Sequence, residues 1–367
     1  MARDRDRLSA PPRPGSVRVA LDADLAASRL SVAEACERLA APEAVEDFAA
    51  LTGRGVAIVE LVDEAPKAAL EALAAALGRL PCPTIGLAPD PAHPSAARVA
   101  SAFDVVVSTP AEIQPVLRGV LDAPLAASAL VRLLRSGPAR DVEVGLAAES
   151  WVYSTLQAGP EFAAWLASRA PKPAPPSERP PLRVERAGHA LLLTLDRPER
   201  RNAYSAELRD ALCEALVLAV RDPSIEAIRL EGAGQCFSAG GDLGEFGLHP
   251  DPATAHAIRT TRSAARWLAL LAPRVDAVVH GACIGAGIEL PAYAARVTAR
   301  EDAFFALPEI GMGLVPGAGG TVSLPARIGR QRTAWLALTG ASIDAPTALA
   351  WGLVDRVVGA GEAVPLP

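Results

Sequence analysis

Two glycine-rich turns hold the residues of this chain best suited to chemistry. The first, Gly234-Gln235-Cys236-Phe237-Ser238-Ala239-Gly240-Gly241-Asp242-Leu243, crowds small residues where the backbone must bend tightly and leave amide hydrogens free. The second runs from Val279 through His280-Gly281-Ala282-Cys283-Ile284-Gly285-Ala286-Gly287 to Ile288-Glu289-Leu290, passing from an apolar strand through a turn into a helix start. Unpaired amides at such a start sit in a positive partial field, which suits a carbonyl oxygen that becomes negative in a transition state. Either turn alone is also what a purely structural bend looks like. Two glutamates, Glu289 and Glu309, make the pair more specific.

Several common sites are absent. The sequence has no GxxxxGK[ST] phosphate loop, no HExxH or histidine cluster, and no GxSxG nucleophile elbow. Gly285-Ala286-Gly287 begins like a dinucleotide fingerprint but lacks the third glycine, so ATP, zinc, NAD and serine-hydrolase readings all lose support.

The elements that must position these turns follow an α/β pattern. His189–Leu195 reads as a buried strand, and Ser205 caps a helix carrying Leu208, Leu212, Leu216 and Val220. A strand over Ile225–Leu230 follows, and short joints between strand, helix and strand predict parallel pairing. A helix opened by Asp251-Pro252 and carrying Ile258, Trp267, Leu268 and Leu271 precedes a strand over Val275–His280, with another near Ala303–Leu307. In the first half, Val56–Val62, Thr84–Leu87 and Val105–Val107 read as strands. Ala68–Leu80, Val142–Gln157 and Glu161–Arg169 read as helices, and residues 116–169 are mostly helical. Six prolines in Ala170–Pro181 mark a linker between a region over residues 1–169 and a core over 182–367.

With 367 residues, half of them hydrophobic, the chain can bury one large core or two modest ones. The net charge of -6 is spread among mixed signs, which makes nucleic acid an unexpected partner. The five scattered cysteines form no CxxC pair and fit a reduced cytosol; no apolar leader or membrane-length run is visible. A cytoplasmic protein is expected.

Four segments in order, Arg197-Pro198 to Asn202-Ala203, Ala239 to Leu243, Gly281 to Leu290, and Pro308-Glu309 to Gly319-Gly320-Thr321, resemble the enoyl-CoA hydratase/isomerase (crotonase) superfamily over residues 182–360. The resemblance implies a crotonase-like spiral of parallel strands and helices of the ClpP/crotonase type. It implies oxyanion-hole amides at Gly241 and Ala286, where alanine replaces the more usual glycine, and acid/base glutamates at Glu289 and Glu309. It further implies coenzyme A contacts from Arg200, Arg201, Ala203, Ala239, Asp242 and Leu243. No metal and no cofactor are implied beyond the coenzyme A carried by the substrate, and a homotrimer or hexamer is the implied assembly. Gly244 stands where members often carry a lysine, putting one customary phosphate contact in doubt.

Glutamates at both positions favour hydration of an enoyl-CoA. Isomerisation, other lyase, hydrolase or oxygenase chemistry on CoA thioesters, and a non-catalytic acyl-CoA-binding subunit remain alternatives. Members of the family usually continue for some fifty residues past the strand equivalent to Val354–Val358. Here the segment resembling those terminal helices is Leu125–Pro173, upstream of the core. Phe103-Asp104-Val105-Val106-Val107 also resembles Val354-Asp355-Arg356-Val357-Val358. The first half is therefore read as a degenerate copy whose helices fold back onto the core, an unrelated helical appendage being the alternative.

Overall fold

The computed structural model describes residues 29–51, 53–136, 141–169, 179–248, 251–359 and 361–366. Most of the proline-rich linker, residues 170–178, lies outside them.

The first half builds a parallel sheet in the order β1 (Arg29–Leu30), β2 (Ala57–Glu60), β3 (Thr84–Leu87) and β4 (Val105–Val107). Burial on both faces explains why these strands are short continuous apolar runs rather than alternating ones. In β2, Ile58 joins one apolar cluster, while Ala57 and Val59 join a second with Leu73 and Leu77 of α1 (Lys67–Arg79). Four helices follow: α2 (Pro110–Asp122), α3 (Pro124–Arg135), α4 (Val142–Gln157) and α5 (Pro160–Ala167). Asp141 caps α4 by accepting from the Glu143 amide at 2.8 Å.

The second half opens with a hairpin, β5 (Leu182–Ala187) against β6 (Ala190–Leu195), whose first strand the residue pattern does not announce because four of its residues are exposed. β6 then pairs in parallel with β7 (Ala227–Gly232) across α6 (Ala206–Arg221), as the short joints predict. Ser205 caps α6 through the Leu208 amide at 3.2 Å; Leu208, Leu212 and Leu216 are buried, while Val220 faces outward. The helix expected after Asp251 is two helices, α7 (Pro252–Thr261) and α8 (Ala264–Leu271). Ser263 breaks them apart by capping the second through the Arg266 amide at 3.2 Å.

β8 (Val275–Val279) extends the large sheet, and β9 (Ala282–Ile284) leads into the one-turn helix α9 (Ala286–Glu289). β10 (Arg296–Arg300) and β13 (Arg356–Val358) complete a six-stranded sheet in the order β13-β10-β8-β7-β6-β5. β11 (Phe304–Ala306) lies between β9 and β12 (Ile343–Asp344) in a smaller sheet. The helical stretch α10 (Gly320–Thr339) is broken at Gly329 and packs against α2, α3 and α4. One apolar cluster thus runs through both halves, joining Ile113, Val116 and Leu130 to Ile288, Leu324 and Leu336.

A charged joint reinforces this contact. Buried Asp104 accepts from the Thr84 amide at 2.8 Å and pairs with Arg135 of α3 and with Arg330 of α10, the latter at 2.7 Å. Asp355 repeats the arrangement in the second half: it accepts from the Val297 amide at 2.7 Å and pairs with Arg327 of α10 at 3.1 Å. Both aspartates immediately precede an edge strand, at the two segments whose sequences resemble each other.

Candidate active site

The two glycine turns pack backbone to backbone. Ser238 donates its amide to Ala282 O at 3.1 Å and accepts from the Ile284 amide at 3.0 Å, so the turns lie side by side. Gly287 is required by that approach, because a Cβ there would stand 2.4 Å from Ser238 O. Gly285 caps α9 at φ 51°, and a Cβ there would meet Glu309 Oε1 at 2.4 Å.

Both turns open onto one cavity of about 890 Å³ lined by Gly241, Ala286, Glu289, Glu309 and Glu149 among others. Neither the Gly241 nor the Ala286 amide has an acceptor among the described residues. Ala286 lies within α9, whose right-handed backbone admits a Cβ, so alanine keeps the donor. Ala239 and Leu243 also line the cavity; Arg200, Arg201, Ala203 and Asp242 lie beside it, outside its lining. Arg200 pairs with Asp242 at 3.5 Å, and the Ala239 amide donates to Arg201 O at 3.0 Å.

Residues 318–321, at the start of α10, hold two carboxylates in alternation. The Ala318 and Gly320 amides donate to Glu289 Oε2 at 2.8 and 2.9 Å. The Gly319 and Thr321 amides donate to the two oxygens of Glu149 at 2.7 and 2.9 Å, and the Thr321 hydroxyl adds a third bond at 2.7 Å. Four consecutive helix-start amides are thereby satisfied by two anion-type acceptors, one from each half of the chain. The sequence reading covers Glu149 only as one position of the helix over Val142–Gln157. The signal was an accounting one: the amides of Ala318-Gly319-Gly320-Thr321 at a helix start need acceptors, and the motif itself names only Glu289 nearby.

Glu309 is placed differently. Its Oε2 is buried without a hydrogen-bond partner among the described residues. Burial pushes the Glu309 carboxyl up to about 7, with the charge of Glu149 adding to the effect. Burial likewise pushes Glu149 up to about 7, against the hydrogen bonds from Thr321 and Gly319. Glu289 is raised well above the usual carboxylate range, by burial first and then by Glu309 and Glu149. Three acids buried close together do not readily all ionise. The two amide donors on Glu289 Oε2 favour a charge there, and the bare Oε2 of Glu309 favours a proton.

Cys283 in the second turn is fully buried, its thiol raised well above the usual range by burial, as befits a small core residue. His280 points back to Gly234 O at 3.0 Å. Among the described residues no group of three or more side chains is arranged to hold a metal ion, and no helix is long and apolar enough to cross a membrane.

The family whose sequence model matches residues 185–364 is described as enoyl-CoA hydratase/isomerase. The 2,3-dehydroadipyl-CoA hydratase of Escherichia coli K12 is 40% identical over 174 residues, 47% of this chain and 68% of the relative. The 1,2-epoxyphenylacetyl-CoA isomerase of the same organism is 37% identical over 172 residues, 46% of this chain and 66% of the relative. The chain therefore spans about two thirds of the length of each. Among solved structures, the enoyl-CoA hydratase of Thermoplasma volcanium GSS1 superposes with a TM-score of 0.44 at 35% identity, covering 49% of this chain and 73% of that one.

Proposed function

The chain belongs to the enoyl-CoA hydratase/isomerase (crotonase) family, and from that premise we propose that it adds water across the C2=C3 double bond of an enoyl-CoA thioester. The observation that carries this reading is the meeting, in one cavity, of two unpaired amides and two buried glutamates that differ in their hydrogen bonding.

The steps balance without a further cofactor. The thioester oxygen lies against the Gly241 and Ala286 amides. Ionised Glu289 takes a proton from water as hydroxide bonds to C3, the π electrons pass to the thioester oxygen, and the two amides stabilise the resulting enolate. Protonated Glu309 then delivers its proton to C2, and proton exchange between the two acids resets the site. Arg200, Arg201 and the turn through Ala203, Ala239, Asp242 and Leu243 are assigned to the coenzyme A portion. The degenerate-copy reading of the first half is supported by the matching Asp104 and Asp355 joints, and α4 and α5 are assigned the role of the family's terminal helices. A cytoplasmic homo-oligomer completes the proposal.

Isomerisation stays as a second reading because the bare Glu309 carboxyl could shuttle a proton between two carbons by itself. Purified protein incubated with crotonyl-CoA, followed by loss of the enoyl absorbance, tests hydration. Glu289→Gln distinguishes the two: it should abolish hydration, whereas an isomerase working through Glu309 tolerates it.

A further inference from the structure

The arginines that line the cavity differ in how their charge is met. Arg209 pairs with Asp210 at 2.9 Å, Arg262 faces Asp210 and Glu214 at 3.8 and 3.7 Å, and Arg266 grips Glu143 through Nε at 2.6 Å. Arg259 of α7 has no carboxylate partner among the described residues. Its Nε is buried without an acceptor, its Nη2 donates to the Ser154 hydroxyl, and its guanidinium lies 4.7 Å over the Tyr153 ring. Glu149 is close enough for its charge to be felt at Arg259, yet it makes no ion pair with it and its oxygens accept instead from the Gly319 and Thr321 amides. A half-buried cation whose Nε is buried without an acceptor is stabilised when something anionic arrives to meet it.

Its position says which part of a substrate would supply that anion. Tyr153 carries Arg259 on its ring and feels the charges of Glu309, Glu289 and Glu149, so Arg259 stands one aromatic ring away from the acids assigned to the reacting carbons. Of the residues assigned to coenzyme A, Arg200, Arg201, Ala203 and Asp242 lie outside the cavity lining, while Ala239 and Leu243 are part of it. A planar guanidinium fits a carboxylate with paired bonds.

We propose that Arg259 binds the terminal carboxylate of the acyl chain, making the substrate class an enoyl-CoA thioester with a second acid at its far end. This deepens the CoA-thioester reading and depends on it.

The test compares two six-carbon 2-enoyl-CoA thioesters, one ending in a carboxylate and one in a methyl group. The native protein should favour the carboxylate form by about 10- to 100-fold in kcat/KM, and Arg259→Met should bring that ratio close to one. Calorimetric binding of the saturated thioesters, adipyl-CoA against hexanoyl-CoA, should show the same preference. This second arm still reports if neither enoyl thioester turns over, so a failure of the hydration reading is distinguishable from a failure of this one. Equal handling of both thioesters by the native protein would overturn the proposal and leave Arg259 as a counter-charge to the glutamates. So would a variant that weakens free CoA and both thioesters alike, because the guanidinium would then be holding a phosphate. The native comparison decides the matter even if Arg259→Met fails to fold.

Discussion

One oxygen of the Glu309 carboxyl is buried without a hydrogen-bond partner among the described residues, and its chemistry should follow from that. In the proposed role of proton donor it must be protonated, so the hydration rate should fall as pH rises through about 7; a pH profile of kcat measures this. Glu309→Gln and Glu289→Gln should each lower crotonyl-CoA hydration by at least about 100-fold without changing the fold. Stability should show the same acids with a defined sign. Glu149 and Glu309 are raised in the folded protein from 4.5 to about 7, so their contribution is fully present below about 4.5 and is lost as pH rises through about 7. The melting temperature should therefore fall across that window, and Glu309→Gln should flatten the slope. That Gly241, Ala286, Glu289 and Glu309 would meet at one cavity was legible from residue spacing and family resemblance. The difference in hydrogen bonding between the two acids was not, because it depends on which oxygens the start of α10 reaches.

The start of α10 is the element that arranges these acids. Its amides at 318–321 alternate between Glu289 and Glu149, so substituting Glu149 disturbs Glu289 through their shared backbone. Glu149→Ala leaves the Gly319 and Thr321 amides buried without acceptors and should cost about 2–4 kcal/mol, read as a thermal shift. Sequence periodicity found α4 at its observed bounds, Val142–Gln157, but could not find its purpose, because the bonds from Glu149 span 170 and 172 residues. The separation of α7 from α8 was missed for a local reason. The apolar spacing continues across Arg262, while the Ser263 side chain opens a new cap that spacing alone does not reveal.

Across the whole molecule, the two halves share one apolar cluster and the Asp104 joint. Asp104→Ala leaves Arg135 and Arg330 without their common acid and should cost about 3–5 kcal/mol, measured by denaturant unfolding. A chain beginning at residue 179 should be insoluble or inactive, since α4 supplies Glu149 and Tyr153 to the cavity wall; a soluble, active product would refute the assignment of α4 to the site. The alternating grip of residues 318–321 also bears on inheritance. A gene shuffled so that the front of one homologue met the back of another would set a foreign helix against four amides already committed to two acids. Only crossovers that carry Glu149 together with its matching loop should yield a working hybrid, which ties the two parts of this gene to a common history of change.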